Sequence, residues 1–197
     1  MKLLNSDLSP YAGRVRIYLR MKGLQVDIVP PDVPLRTVEF LQKYPFGKIP
    51  LLINDDGSSL AESWSIMQYL ETCYPEPPLQ PADNWQQAQM NARGRFADTH
   101  LAPAAFPLFG QLMGRGQVDL QAQIEAIKFE LGKADVIWRQ IGALPERAVD
   151  LADIALLPVL YFVLAYLFCD KLLFDEVHST TRQPLPCLQP EDKLLLQ

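Results

Sequence analysis

Cysteine and histidine are scarce in this chain, and neither occurs in a pattern that carries chemistry. The three cysteines, Cys73, Cys169 and Cys187, form no Cys-x-x-Cys pair and are odd in number. They read as reduced thiols in a cytoplasmic protein, not as a disulfide framework. His100 and His178 are the only histidines, and without a His-Glu-x-x-His run or a paired-cysteine spacing no metal is expected. No glycine-rich phosphate loop of the GxGxxG or Walker type is present either. Positive charge is not in excess. Lysine and arginine number 18 against 23 aspartate and glutamate, a net charge of −5 with no basic block, which argues against nucleic acid as a main partner. Membrane-spanning length is also missing. The apolar run from Ile154 to Cys169 falls short of the roughly 20 residues a span needs, has acidic flanks and contains Pro158. It reads as a buried core helix. The first residues, Met1 to Asn5, hold no long apolar segment, so no signal peptide is expected.

What is present is an ordinary soluble composition, 49% apolar and 21% charged over 197 residues, enough for one or two domains with a sizeable core. Lys2 to Asn5 reads as a first strand. Ser9-Pro10 then opens a helix, because serine is a good N-cap and proline suits the first helical position. Val15, Tyr18 and Leu19 continue at helical spacing, and Gly23 ends the helix. Val26 to Val29 reads as a second strand, Pro30, Pro31 and Pro34 as a loop, and Thr37 to Tyr44 as a short helix.

The stretch 45–63 organises the rest. Pro45 and Gly47 punctuate a loop, Ile49 to Ile53 is a short apolar run, and Asp56-Gly57 is a hairpin turn signal. Pro50 donates no backbone hydrogen bond, so it belongs at the start or edge of a strand. Composition alone favours a trans Ile49–Pro50 bond; a cis bond would turn the chain sharply. Glu62-Ser63 falls where the next helix begins, and a helix start leaves backbone N–H groups free.

Lys48-Ile49-Pro50-Leu51-Leu52, then Leu60-Ala61-Glu62-Ser63, then Ile66 and Tyr69-Leu70 resemble the glutathione-binding half of the cytosolic glutathione S-transferase family. The resemblance implies a cis Pro50, an Ile49 backbone that pairs with the cysteine of glutathione as an added strand would, and a Glu62-Ser63 pair that holds the γ-glutamyl end. Lys48 and Arg36 become weaker candidates for the carboxylate ends. Ser9 falls where the family places its thiol-activating residue, and Ser-Pro-Tyr-x-x-Arg resembles bacterial transferases whose relatives carry Cys-Pro-Phe or Cys-Pro-Tyr. On local chemistry Ser9 is equally a helix cap, and the two roles are compatible. The implied fold is an α/β thioredoxin-like domain over residues 1–76, followed by an all-α helical domain over 84–197.

Between them, Pro75 to Asn84 is a linker by composition. Residues 85–114 carry helical periodicity interrupted by Pro103 and Pro107, which predicts a kinked or broken helix. Ile124, Ile127, Leu131, Ala134, Trp138 and Ile141 form an amphipathic stripe, which together with the resemblance implies a homodimer. Asp150 and Asp153 read as an imperfect capping box, since Asp153 is shorter than the usual glutamate. Tyr11 and Phe106 are core residues or, on the elements that border the glutathione site in relatives, pocket liners; His100 is structural or a pocket liner. The resemblance covers about residues 1–170. Beyond Phe174 the polar, proline-rich composition reads as extended chain, where the family has another helix.

The implied activity is glutathione transfer to a small hydrophobic electrophile, as in detoxification, with glutathione as co-substrate. The alternatives are another glutathione-dependent enzyme (isomerase, dehalogenase or ether-cleaving lyase) and a catalytically silent interaction domain on the same frame. A thiol-disulfide role is disfavoured, because a serine at position 9 cannot form a mixed disulfide.

Overall fold

The computed structural model describes residues 1–112, 116–142, 144 and 146–169. Met1–Val159 form one compact unit and Leu160–Gln197 a second. The tail beyond Phe174 lies outside the described residues.

Strands β1 (Lys2–Leu4), β2 (Asp27–Val29), β3 (Leu51–Ile53) and β4 (Ser59–Ala61) form one sheet in the order β2-β1-β3-β4. β1 runs parallel to β2 and antiparallel to β3, and β3 antiparallel to β4. Alternation along a strand separates two buried faces. Leu4 and Leu51, which pair across β1 and β3, bury against Phe40 and Tyr44 at helix α2 (Val38–Lys43). Leu3 and Leu52, also a pair, point to the opposite face and are buried too.

Helix α1 (Pro10–Lys22) packs with α3 (Ser63–Cys73), burying Val15, Tyr18 and Leu19 from the first and Ile66, Met67 and Leu70 from the second. Its ends follow the sequence signals. Ser9 Oγ accepts the Ala12 N–H at 3.2 Å. Gly23 adopts φ +65°, where a Cβ is disfavoured, and Leu24 N–H returns to Leu19 O at 2.9 Å. The Ile49–Pro50 peptide is cis, as the resemblance implies, and Leu51 begins β3 immediately after it.

The proline-rich linker is pinned from both sides. Lys22 Nζ donates to the carbonyls of Tyr74, Pro75 and Pro77. Glu71 accepts the Leu79 N–H at 2.7 Å and the Tyr18 hydroxyl at 3.0 Å, and pairs with Lys22 at 2.7 Å. Each buried charge is thereby compensated. Burial and then the Glu71 charge raise the Tyr18 phenol well above its ordinary value.

Helices α4 (Asn84–Phe96), α5 (Ala102–Leu112) and α6 (Leu120–Arg139) follow. The interruption expected at the prolines lies before them. Ala97–Leu101 is a π-helical turn, closed by an Ala102 N–H that reaches back five residues to Ala97 O. α5 then continues through Pro107. A widened turn just ahead of Pro103 relieves the mismatch that a proline creates with the preceding turn. Gly94 on α4 is dictated by packing, since a Cβ there would stand 2.1 Å from the Trp64 ring of α3. The stripe on α6 is used within the chain: Ile127 and Ala134 are buried where α6 meets α5 and the π turn.

Helix α7 (Leu151–Cys169) begins with a capping box more complete than Asp153's length suggests. Asp150 Oδ1 accepts from the N–H groups of Ala152 and Asp153, and Asp153 Oδ2 accepts the Asp150 N–H at 3.0 Å. Asp153 reaches because Arg147 holds it bidentately at 2.6 and 2.7 Å and Trp138 Nε1 donates at 2.8 Å. Leu151, Ala152, Ile154 and Ala155 are buried beyond the cap. Among the described residues no helix is long and apolar enough to cross a membrane.

Candidate functional site

Register explains how residues far apart in sequence meet. Leu51 pairs with Ala61 across β3 and β4, so Pro50 and Glu62, one step outward on each strand, lie side by side. Leu4 pairs with Leu51, so β1 exits toward α1 at the same end of the sheet. A cavity of about 200 Å³ opens there. Ile49, Pro50 and Lys48 line it from the entry to β3, Glu62 and Ser63 from the start of α3, and Tyr11 from the first turn of α1. Six of the residues the sequence nominates thus line one cavity.

Of the others, Ser9 is the N-cap of α1 and does not border the cavity. Phe106 meets the Tyr11 ring edge to face, with ring centroids 5.4 Å apart. Arg36 lies outside the cavity wall, and His100 stacks on Phe96 at 5.1 Å. A larger cleft of about 620 Å³ opens between residues 5–7 and 28–35. Its walls are mostly proline and aliphatic, and its one carboxylate, Asp7, is tied to Arg16 at 2.6 Å.

The start of α3 is unusual. Glu62 holds φ +68° and makes no side-chain cap bond. That backbone region costs a non-glycine residue on the order of 1–3 kcal/mol and is kept where the surroundings enforce it, often at functional sites. Ser63 follows as the first residue of the helix and is buried. Its N–H belongs to the turn without intrahelical acceptors, where the helix dipole favours an anion.

Two wall residues come from the helical region and were not nominated by the sequence. Arg95 sits in the last turn of α4 and Asp98 in the π turn. Asp98 accepts from Arg14 Nη1 at 2.7 Å and lies 3.6 Å from Arg95. The Arg14 guanidinium is fully buried and stands 4.8 Å from the Tyr11 ring centroid. Burial first, then the Asp98 charge, raise the Tyr11 phenol above its ordinary value, and Arg14 opposes them. The wall thus presents two cations, Lys48 and Arg95, and two anions, Glu62 and Asp98. That mixture suits a ligand bearing both an ammonium and carboxylates. Among the described residues no group of side chains is placed to hold a metal.

Residues 3–78 match the family model described as "Glutathione S-transferase, N-terminal domain". The solved glutathione S-transferase of Methylobacterium radiotolerans, in complex with glutathione sulfonate, is 30% identical; the alignment covers 84% of this chain and 78% of that one, with a TM-score of 0.63. The chain belongs to the glutathione S-transferase family. Maleylacetoacetate isomerase from Anaeromyxobacter dehalogenans is 27% identical over 84% of this chain and 80% of its own, with a TM-score of 0.65. Glutathione S-transferase U7 of Arabidopsis thaliana is 22% identical over 99% of this chain and 89% of its own length. Further plant relatives at 29–32% identity match only 54–55% of this chain and 47–50% of their own length. The family's thioredoxin-like sheet domain followed by helices is the architecture found here.

The sequence offered a signal for Arg14, the last position of Ser-Pro-Tyr-x-x-Arg. For Arg95 and Asp98 it offered only an i, i+3 charge pair, the usual mark of a solvated helix face.

Proposed function

We propose that this protein is a glutathione transferase of the bacterial Ser-Pro-Tyr type, joining the sulfur of glutathione to a small hydrophobic electrophile. Six nominated residues converging on one mixed-charge cavity carry this reading. Glu62 and the Ser63 N–H hold the γ-glutamyl end, the Ile49 backbone pairs with the cysteine, and Lys48 meets a carboxylate. Tyr11 and Phe106 border the space for the electrophile. Residues 1–76 serve as the glutathione domain and 84–197 as the helical substrate domain of a cytoplasmic homodimer.

In the reaction the thiol loses its proton to solvent, the thiolate attacks carbon, a C–S bond forms and the displaced group departs. A free thiol is only a few per cent ionised at neutral pH. Lowering its pKa by about two units takes roughly 2.7 kcal/mol. A hydroxyl donating to an anion supplies about 1.5–3 kcal/mol and a helix N-terminus a fraction more. Ser9 Oγ accepts the Ala12 N–H yet keeps its own proton, which it donates to the sulfur above α1. No general base is needed.

Retention on immobilised glutathione tests the binding half, with loss expected in Glu62→Ala. Mass analysis of products from a panel of electrophiles tests the chemistry, and the absence of any glutathione adduct would refute it. Likeness to the isomerase favours one second reading, glutathione-dependent isomerisation. It would appear as product of unchanged mass with glutathione not consumed.

A further inference from the structure

We infer that Arg95 selects an electrophile bearing a carboxylate, by pairing with that group while glutathione occupies the sheet side of the cavity. This names the substrate class of the proposed site, and it rests on the cavity being the glutathione site. The wall residues divide by origin. Lys48 and Ile49 lead into β3, Glu62 and Ser63 open α3, and Arg95 and Asp98 come from the helical region. In the proposed binding mode the sheet side is fully used. Glu62 takes the γ-glutamyl ammonium, the Ser63 N–H its carboxylate, and Lys48 the glycyl carboxylate. Arg95 is left over.

Nor is Arg95 spent within the chain. The last turn of α4 carries two arginines in different settings. Arg93 is buried and pairs with Asp150. Arg95 borders the cavity, its side chain is 57% exposed, and its ion-pair partner, Asp98 Oδ2, stands 3.6 Å away, outside hydrogen-bonding distance. Among the described residues its guanidinium makes no hydrogen bond. Asp98 is committed elsewhere, because its Oδ1 accepts from the fully buried Arg14 at 2.7 Å. A buried cation depends on its anion far more than an exposed one, which water already solvates. Arg14 and Asp98 therefore offset each other, and Arg95 stands as the unbalanced positive charge on the helical wall.

That charge acts where the electrophile would lie. Burial, Asp98 and Glu62 raise the Tyr11 phenol, and Arg14 and Arg95 oppose them, so the field of Arg95 reaches the wall residue that borders the electrophile. An anionic electrophile approaches a thiolate against like-charge repulsion. A guanidinium beside its carboxylate offsets that repulsion, and its planar fork of donors fixes the carboxylate in orientation. The carboxylate does not react. Sulfur attacks carbon, the C–S bond forms, and the displaced group departs with its electron pair.

The test is calorimetric binding of two product analogues to the full-length chain, S-(p-carboxybenzyl)glutathione and S-(p-carbamoylbenzyl)glutathione. They differ by one charge, and glutathione alone is the reference. Wild type, Arg95→Gln and Arg95→Lys are compared. Wild type is expected to bind the acid about three- to tenfold more tightly than the amide, with the advantage shrinking as ionic strength rises. Arg95→Gln should bring that ratio to about one, and Arg95→Lys should restore part of it, since a point charge replaces the fork. Equal affinity of the two conjugates in wild type, or an acid preference that survives Arg95→Gln, overturns the inference. A greater loss of affinity for glutathione alone than of the acid-to-amide ratio assigns Arg95 to glutathione itself and overturns it too. Failure of all three ligands to bind wild type refutes the glutathione site and the inference with it, whereas glutathione binding without an acid preference refutes the inference alone.

Discussion

The N-termini of α7 and α3 are built in opposite ways. At α7, Asp150 accepts two backbone N–H groups, Asp153 returns a bond to Asp150, and Arg93 pairs with Asp150 from the buried side. Every polar group that the turn exposes is used within the chain. At α3, Glu62 sits at φ +68°, makes no cap bond and lies at the mouth of a cavity. α1 is intermediate, with one cap bond from Ser9. Internally satisfied donors stabilise a fold, and donors left open next to a cavity are free for a ligand. The degree of capping therefore separates the structural helix start from the one that opens on the cavity.

The widest break in that contrast comes from Asp150→Ala. It strips the cap of α7 and leaves Arg93 buried without its carboxylate, and it should lower unfolding stability by about 3–5 kcal/mol, read from denaturant melts. A second cut at the same end uses acid. Burial pushes Asp153 up, but Arg147, the Asp150 N–H and Trp138 outweigh it and hold the carboxyl below its ordinary range. A depressed carboxyl contributes stability above its unfolded value, about 3.9, and that contribution is lost as pH falls through the lower folded value. Wild type and Asp153→Asn should therefore differ most above about pH 4 and converge below it. Parallel stability curves would contradict the role given to Arg147.

Ser9→Ala, at the singly capped α1, should cost about 1 kcal/mol in the same melts. The pKa of bound glutathione, read by thiolate absorbance, would then separate its capping from the proposed donation to sulfur. Glu62→Ala, at the uncapped α3, should change stability by less than about 0.5 kcal/mol while abolishing retention on glutathione. A loss of stability as large as that of Asp150→Ala would erase the distinction between the two helix starts.

Much of the sheet region was legible because its signals are local. Ser9-Pro10 and Gly23 delimit α1, and Asp56-Gly57 turns β3 into β4 within a few residues. The Ile49–Pro50 and Glu62-Ser63 pairs came from family resemblance, and register places them together. The helical region was harder to read. Pro103 and Pro107 signalled an interruption, but the strain is absorbed upstream in Ala97–Leu101, because a helix accommodates a proline through the turn that precedes it. The box at Asp150 looked imperfect because a short side chain is judged by its own reach, and Arg147 and Trp138 supply the rest from outside the motif.

The sequence by itself determined the order of elements and the helix ends, and a family motif nominated Glu62 and Ser63 for the γ-glutamyl group, since each depends on neighbours a few positions away or on that motif. Only the tertiary structure decided which hydroxyl borders the cavity. Ser9 and Tyr11 are two residues apart on the first turn of one helix, and which of them borders the cavity depends on how α1 sits against β3 and the π turn. The same holds for Arg95 and Asp98. In sequence they are an ordinary charge pair on a polar helix, and they reach the site because Gly94 lets α4 lie against Trp64 and the π turn presents Asp98 to Arg14. Long-range packing of this kind leaves no periodic trace in the chain, because the partners that fix it are about 30 and 84 positions away.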